Sequence, residues 1–523
     1  MVTVPSEGGG FTEGVLGVPR FINPLLATSD ADRDLVALVY SGLLRALPNE
    51  QFENDLAEGY TTSDDGIVYT FTLKENLKWH DGKQVTADDI VFTVELAQDE
   101  RIRSPKQANW EGVLVEKVDR RTIRFTRKQA YAPFLENMTL GIMPAHIWKN
   151  VQPEEFALRI NNIKAIGTGP YKIKKTENSV LGALDMIELT ANKNFALGSP
   201  LIKSLILKFF PDETKLIVAY KQHQVDSISG ISIEGAEALV ANGYATERAS
   251  LSRIFGVFFN QNQSAILADK TVREALLLAT PRKELIDFAL YGFGSSQISP
   301  MFTDKQQVPN REPSLETRIA EARQLLDKAG WKVGENGIRL KKNKPLSFTL
   351  VTSDSPELSR GAKLLSDTWK ELGINVTVKI YEIPDLNTDI IRPRKFDALL
   401  FGEVAGHFPD PYAFWHSSGR LDPGLNIAQY TNSNADKALE SARQIQDPTK
   451  RLEQYAVFEN EITRDIPAIF LYAPHYIYIR AEQINNISLV TMSNPSDRFI
   501  NVYKWYIQTD RIWKIFSPTS GQS

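Results

Sequence analysis

Residues 346–380 read LSFTLVTSDSPELSRGAKLLSDTWKELGINVTVKI, and this stretch decides the fold class. Its apolar pattern predicts a strand over Leu346–Thr352, a helix over Leu358–Leu372 that ends at Gly373, and a second strand over Ile374–Ile380. The helix carries leucine and tryptophan on one side, and the second strand alternates isoleucine and valine with polar residues. A strand, a crossover helix and a strand form a parallel pair with a right-handed connection. The stretch therefore predicts an α/β fold.

The same mixed pattern continues on both sides of this stretch. A strand is predicted downstream over Phe396–Phe401, and an upstream helix over Leu315–Ala329 begins at the cap Ser314 and ends at Gly330. A second strand–helix–strand pattern lies farther upstream, over Leu205–Pro211, Asp212–His223 and Val225–Ser229.

A half-buried strand and a capped helix are predicted in the N-terminal third of the chain. Residues Tyr69–Lys74 alternate polar and apolar side chains, which is typical of a strand with one buried face. Thr86 is followed three residues later by Asp89, which is a helix-start signature. The alternative for Asp88 and Asp89 is a catalytic pair, but their position in the first turn favours helix capping.

The segment Gly402–Gln429 has no helical or strand period, contains two Asp-Pro pairs and is rich in glycine. A loop of this length in a compact domain is usually functional or disordered, and its aromatic residues argue against disorder. It leaves the carboxyl end of a predicted strand, where ligands bind in α/β sheets. We therefore predict ligand contacts here; the alternative is a structural loop that packs its aromatics against its own sheet.

Composition excludes several classes of function. The chain has 523 residues, a hydrophobic fraction of 42% and a net charge of -4 with no basic stripe, so nucleic acid is not an expected partner. It has no cysteine, which excludes thiolate chemistry and disulfides. No apolar run reaches about 18 residues. Residues Met1–Gly10 lack the parts of a signal peptide, and their Pro/Ser/Gly content predicts a flexible lead-in from a removed signal or anchor, with a cytoplasmic protein as the alternative.

Catalytic and cofactor motifs are also missing from the sequence. There is no GxxxxGK[ST], GxSxG or HExxH, and no two histidines stand at i, i+4 spacing. His407 and His416 share the long segment but lack clustered carboxylates, which disfavours a metal site. Gly167–Lys172 lacks the third glycine of a dinucleotide loop and predicts a tight turn. We predict no catalytic residues, no metal and no cofactor.

Several motifs, in order along nearly the whole chain, resemble those of the family 5 extracellular solute-binding proteins, the peptide- and nickel-binding group of ABC importers. The stretch Leu77–Asp89 (LKWHDGKQVTADD) carries the closest similarity. The other matching stretches are Gly9-Gly10, Asn23-Pro24-Leu25, Val39–Leu44, Gly167–Tyr171 and Ala322–Trp331.

The resemblance implies a two-lobed, periplasmic-binding-protein-like fold of class II, cluster C, with three domains and a ligand cleft between the lobes. Domain I would comprise residues 1–45, 165–257 and 482–523. Domain II, the family's insertion, would span 46–164, and domain III, the second ligand lobe, 258–481. Hinge segments are expected near Phe258–Asn260 and near Ile479.

The family also implies a short peptide held extended by main-chain hydrogen bonds. An aspartate that captures the peptide's amino terminus in relatives is absent here; His407 stands nearest by spacing, and Glu403 offers a substitute with a longer reach. This departure argues against a dipeptide and remains compatible with a longer peptide. The predicted ligand-binding residues are Asn23, Tyr40, Glu403, His407, Tyr412, Phe414 and Trp415.

The resulting hypothesis is a monomeric, non-enzymatic, extracytoplasmic receptor, anchored as a lipoprotein or free in the periplasm. It would close on a peptide and deliver it to ABC permease and ATPase subunits. The alternatives are the same fold binding a nickel chelate, a haem or an oligosaccharide, a sensory receptor without transport, and a peptide hydrolase.

Overall fold

The structure, a computed structural model, describes residues 1–47, 51–179, 182–302, 313–408, 410–489 and 491–513. The chain forms two compact units. The first unit comprises Met1–Ala249 and Tyr476–Ser523, and the second unit comprises Ser250–His475. The expected boundaries, 257/258 and 481/482, stand a few residues farther along the chain. The further division of the first unit into domains I and II stays a prediction.

The strands alternate with helices along the chain, as an α/β fold requires. They are β1 (Val2–Ser6), β2 (Gly10–Leu16), β3 (Leu44–Ala46), β4 (Phe52–Asn54), β5 (Ala57–Thr62), β6 (Val68–Leu73), β7 (Leu114–Lys117), β8 (Thr122–Thr126), β9 (Tyr171–Asn178), β10 (Leu184–Ala191), β11 (Ser204–Phe210), β12 (Ser227–Ser229), β13 (Thr246–Ser250), β14 (Arg253–Phe259), β15 (Gly294–Ser296), β16 (Lys332–Val333), β17 (Arg339–Lys341), β18 (Lys344–Pro345), β19 (Ser347–Ser353), β20 (Asn375–Tyr381), β21 (Ala398–Val404), β22 (Ala468–Ile479) and β23 (Gln508–Ile512).

The helices are mostly short. They are α1 (Asp30–Val39), α2 (Ala87–Gln98), α3 (Gln107–Trp110), α4 (Phe134–Asn137), α5 (Ala145–Trp148), α6 (Glu213–Lys221), α7 (Ile233–Ala241), α8 (Lys270–Leu278), α9 (Arg282–Ala289), α10 (Leu315–Lys328), α11 (Pro356–Lys370), α12 (Ile383–Asp385), α13 (Tyr412–Trp415), α14 (Ser433–Gln444) and α15 (Pro448–Asp465). Six 3-10 turns and one π-helical turn (Leu386–Ile391) complete the described helices, the 3-10 turns being Glu100–Ile102, Pro153–Leu158, Ile160–Asn162, Ser417–Gly419, Pro495–Phe499 and Val502–Lys504. In the ranges given above, no helix combines the length and the apolar character that crossing a bilayer requires.

The sheet of the second unit confirms the βαβ unit predicted from residues 346–380. Its strand order is β20-β19-β21-β14-β22. Strand β19 pairs in parallel with both β20 and β21, whereas β14 pairs antiparallel with β21 and β22. Helix α11 connects β19 to β20 and buries Leu358, Leu365 and Trp369, and Gly373 beyond it has a φ of 78°. Helix α10 is also capped as predicted, because Ser314 accepts a hydrogen bond from the Thr317 amide.

The principal sheet of the first unit has the order β12-β2-β11-β10-β9. The predicted strands and helix of the second βαβ pattern are present as β11, α6 and β12. However, β2 lies between β11 and β12 and pairs in parallel with both. No local pattern predicts this insertion, because β2 comes from the far N-terminal end of the chain.

A four-stranded antiparallel sheet, β5-β6-β8-β7, lies within the region expected to form domain II. On β6, Tyr69, Phe71 and Leu73 are buried, which confirms the predicted half-buried strand. Helix α2 begins after Thr86, whose amide donates to Asp89 Oδ2 at 2.9 Å. The other carboxylate oxygen of Asp89 accepts from the Ala145 amide, so Asp89 is a capping and bridging residue.

Two expectations about irregular segments were wrong. The expected flexible lead-in contains β1, whose residues pair antiparallel with β23. Backbone pairing with a strand remote in sequence gives this segment its structure. The long segment predicted from Gly402 is also shorter than expected, because β21 continues through Val404 and α13 lies inside the segment.

The first unit contains a buried ion triad made of Glu13, Asp34 and Arg498. Arg498 donates to Asp34 Oδ1 at 2.7 Å and, through Nε, to Glu13 Oε1 at 2.9 Å. The Tyr478 hydroxyl donates to Glu13 Oε2 at 2.6 Å. Burial raises the pKa of Asp34 to about 6 despite the opposing charge of Arg498. Through these ion pairs Arg498 links the C-terminal segment to Glu13 on β2 and to Asp34 on α1.

Candidate functional site in the second unit

A pocket in the second unit lies where β21 ends and the segment after it begins. Its cavity volume is about 10 Å³, which is room for about one water molecule, and it opens to solvent. Its wall is mostly apolar and aromatic with two acids, as is usual for a small-ligand site. The lining residues are Ile254, Pro300, Met301, Phe302, Glu403, Ala405, Asp410, Pro411, Phe414 and Trp415.

Strand pairing determines the position of Glu403, one of the two acids of this pocket. Glu403 is the penultimate residue of β21, and it stands opposite Ile254 of β14 in the antiparallel register. The chain then turns back and enters α13 after Pro411, which brings Trp415 over the same end of the sheet. The pocket therefore assembles from three segments that are far apart in sequence.

Trp415 forms part of the hydrophobic core beneath the pocket. Its side chain is 1% exposed, and its ring lies 5.7 Å from the ring of Phe470 and 6.0 Å from that of Phe258. The indole N–H donates to Glu403 Oε2 at 3.2 Å. The predicted contact residue Trp415 thus orients Glu403 while it packs in the core.

Glu403 is a buried acid with an unused oxygen. The residue is 5% exposed, and within the described part of the chain its Oε1 has no hydrogen-bond partner. Burial raises the pKa of Glu403 to about 8, and the hydrogen bond from Trp415 opposes that shift only in part. At neutral pH the side chain is therefore mainly a neutral carboxylic acid.

The second acid of the pocket, Asp410, is neutralised by Arg443. Arg443 donates to Asp410 Oδ2 from Nη2 at 2.6 Å and from Nε at 2.9 Å. Asp410 Oδ1 also accepts from the Tyr412 amide at 3.3 Å, so Asp410 is a turn residue as well as an ion-pair partner.

Tyr412 is covered on both ring faces. The Arg443 guanidinium lies 3.7 Å from its ring centroid, and the His416 ring stacks on it at 4.1 Å with an interplanar angle of 10°. His416 in turn contacts Ser418 and Glu440. These contacts make Tyr412 part of a stack that orders the segment after β21. Its role as a ligand contact stays a prediction.

The remaining predicted residues of the segment differ in position. Phe414 is half-buried and lines the pocket. His407 is half-buried too, but among the described residues it is not part of the pocket wall. Pro409 lies outside the described residues. The pocket thus brings together Glu403, Phe414 and Trp415.

The two predicted residues of the first unit are buried. Asn23 has no exposed surface; its side-chain amide donates to Asn162 Oδ1, and its Oδ1 accepts from the Leu25 amide, both at 2.9 Å. Asn23 therefore stabilises a turn, as asparagine before proline often does. Tyr40 follows α1 and is 4% exposed, and its hydroxyl is buried without a partner in the described residues. Their ligand contacts stay predictions.

Sequence reasoning missed seven residues of the pocket wall. Ala405, Asp410 and Pro411 lie in the predicted segment but were not predicted contacts, and Ile254, Pro300, Met301 and Phe302 lie outside it. No local motif distinguishes the four apolar residues outside the segment from the many others of the core. Ile254 could have been assigned to the pocket only by predicting that β14 pairs with β21.

Comparison with known proteins agrees with this architecture. Residues 51–423 match the family described as bacterial extracellular solute-binding proteins, family 5 Middle. The oligopeptide-binding protein AppA of Bacillus subtilis (strain 168) is 29% identical over 520 residues, which cover 96% of this chain and 92% of that protein.

Two solved structures cover almost the whole chain. The structure of AppA from Bacillus subtilis in complex with a nonapeptide is 28% identical, with a TM-score of 0.70, and the match covers 97% of this chain and 100% of that one. The ABC transporter substrate binding protein CtaP from Listeria monocytogenes is 25% identical, with a TM-score of 0.79 and coverage of 96% and 100%. The chain therefore belongs to the bacterial extracellular solute-binding proteins of family 5, and its periplasmic-binding-protein-like α/β fold is the one expected from the sequence.

Proposed function

We propose that this protein binds short peptides outside the cytoplasm and delivers them to an ABC importer. The observation that carries the proposal is the similarity to AppA, which extends over 96% of the chain and includes a relative solved with a nonapeptide. The named relatives are binding proteins. We accordingly propose a receptor without enzymatic activity.

The proposed ligand is a peptide longer than two residues. His407 is the residue nearest by spacing to the aspartate that captures the amino terminus in peptide-binding relatives, and without that aspartate tight capture is not expected here. A longer peptide gains affinity from main-chain hydrogen bonds along an extended backbone, which depend little on its sequence. Glu403, Phe414 and Trp415 are supported as contacts by their shared pocket.

The proposal includes the partners and the location that the family implies. A permease pair and its ATPases would receive the ligand, and the protein would act as a monomer in the periplasm or, as an anchored lipoprotein, on the cell surface. Closure of the lobes on the peptide is part of the proposal, and a smaller radius of gyration in X-ray scattering after peptide addition tests it.

The experiment is release of the bound ligand. The purified protein is denatured, and the released small molecules are identified by mass spectrometry. A ladder of peptides is the expected result, and its length range gives the size of the site. Calorimetric titration of refolded protein with the recovered peptides then measures affinity.

Other outcomes contradict the proposal in distinguishable ways. A nickel chelate, a haem or an oligosaccharide in the released fraction would keep the fold and overturn the ligand class. Cleavage of a fluorogenic peptide library in proportion to protein concentration would indicate a hydrolase. An empty fraction followed by no heat signal with a peptide pool would also refute peptide binding.

A further inference from the structure

We propose that a small lysine-rich sheet of the second unit docks onto the surface of an anionic phospholipid membrane. This basic sheet, residues 332–345, is made of β16, β17 and β18 in that order. The structure describes all of its residues, and none of them lines the pocket at the end of β21. The inference therefore goes beyond the proposed function, because it concerns a membrane contact and not the ligand.

The concentration of charge in the basic sheet is the first argument. The sheet holds four lysines and one arginine against a single acid, Glu335, which gives a formal charge of +4 in a chain whose net charge is -4. Antiparallel pairing gathers these charges, since Lys332 stands opposite Leu340 and Lys341 stands opposite Lys344. Opposed side chains have Cβ atoms about 5 Å apart, so the cations form one patch.

The exposed cations of this patch have no hydrogen-bonded acid in the described part of the chain. Arg339 is buried and donates to Asp327 Oδ1 at 2.5 Å, and Lys341 pairs with Asp269 at 2.9 Å. Arg339 holds the pKa of Asp327 below its usual value, and Lys332 adds only a smaller effect. The lysines that remain for an outside partner are Lys332, Lys342 and Lys344.

The apolar residues of the same sheet favour a lipid surface. Val333 is 61% exposed and Leu340 is 37% exposed, and Leu340 shares a face of the sheet with Lys332. Aliphatic side chains beside lysines suit the boundary between headgroups and acyl chains, where the methylene stems of lysine are also buried. A lysine is a point charge that attracts phosphate from any direction, whereas bidentate recognition of a protein carboxylate favours arginine.

Protection of the strand edges does not account for the whole patch. Lysines on outer strands discourage pairing with another chain, and β16 and β18 are the outer strands of this sheet. Lys342, however, lies in the turn between β17 and β18. Its φ of 51° is a left-handed conformation that favours asparagine or glycine, so a lysine at this position costs stability. A membrane partner explains the lysines of the turn and of the strands together.

The test is partition of the protein onto phospholipid vesicles at physiological salt. Vesicles of phosphatidylcholine alone, or of phosphatidylcholine mixed with phosphatidylglycerol, are sedimented with the protein, and the bound fraction is measured at rising lipid concentration. The variant combines Lys332→Gln, Lys342→Asn and Lys344→Gln. The control removes three exposed lysines elsewhere in the same unit by Lys283→Gln, Lys379→Gln and Lys395→Gln.

Wild-type protein and the control should bind the mixed vesicles in preference to phosphatidylcholine, and high salt should abolish this preference. The variant should bind the mixed vesicles about a hundredfold more weakly, because each lysine beside an anionic leaflet raises affinity about fivefold. Thermal unfolding should show that the variant is at least as stable as wild type, since asparagine suits the left-handed turn.

Three results overturn the inference. Wild-type binding that does not depend on phosphatidylglycerol would exclude an anionic lipid partner. Binding that survives in the variant would place the contact elsewhere. Salt-dependent binding to polyglutamate without binding to vesicles would assign the basic sheet to an acidic protein surface. Calorimetric titration of the same samples with peptides tests the proposed function separately, and the variant should bind peptides as wild type does.

Discussion

Replacing Glu403 by Gln is expected to stabilise the second unit at neutral pH. Burial raises the pKa of this carboxyl from its ordinary value of 4.5 to about 8, so folding at pH 7 requires the uptake of a proton. The pKa of Glu403 is higher in the folded than in the unfolded protein. Its contribution to the free energy of unfolding is therefore fully present below pH 4.5 and is lost as the pH rises to 8.

The size of the change in unfolding free energy follows from the interval between the unfolded and the folded pKa of Glu403. Each pH unit between the two pKa values costs about 1.4 kcal/mol, which gives a loss of about 3 kcal/mol at pH 7 and about 5 kcal/mol above pH 8. Gln has nearly the same shape and can still accept the hydrogen bond from Trp415. Its additional N–H has no partner and costs about 1 kcal/mol. The net gain of the variant is therefore about 2 kcal/mol at pH 7.

The assay is urea unfolding at pH 5, 7 and 8.5, followed by hydrogen exchange of peptides from β21. The difference in unfolding free energy between Glu403→Gln and wild type should be near zero at pH 5 and larger by about 4 kcal/mol at pH 8.5. Titrations common to both proteins cancel in this difference. Glu382 is an exposed acid of the same unit outside the pocket, and Glu382→Gln should show no pH-dependent difference from wild type. A difference between Glu403→Gln and wild type that stays constant with pH would refute the argument that burial keeps Glu403 protonated.

Three further substitutions and one control substitution test the packing. Arg498→Met leaves the two carboxylates of the buried ion triad without their cation and should destabilise the first unit by about 3–5 kcal/mol in urea unfolding. A Cβ on Gly167 would overlap the carbonyl of Val39, so Gly167→Ala should lower stability by about 1–3 kcal/mol in calorimetry, whereas Gly59→Ala, with open space around it, should cost little. Arg443→Ala removes the partner of the pocket's second acid and should speed hydrogen exchange in α13 at least tenfold, which is the effect of about 1.4 kcal/mol; unchanged exchange would show that the stack does not order this segment.

Elements with local signals could be predicted from the sequence. The alternation at Tyr69–Lys74 and the pattern of residues 346–380 follow from side-chain period alone, because one face of a strand or helix must leave water. The cap at Ser314 is equally local, since it satisfies helix amides three residues away. These signals, with the ordered motifs around Leu77–Asp89, were enough for the fold class and the family.

Features that depend on residues distant in the chain became visible only in the folded protein. The pairing of β1 with β23 gives structure to the N-terminal segment, and the insertion of β2 between β11 and β12 sets the sheet order. The sequence marked Glu403 as a candidate contact, but its neutral state follows from removal from water by Ile254, Met301 and Trp415. Desolvation sums over every neighbour in space, and no local pattern in the sequence records which neighbours those will be.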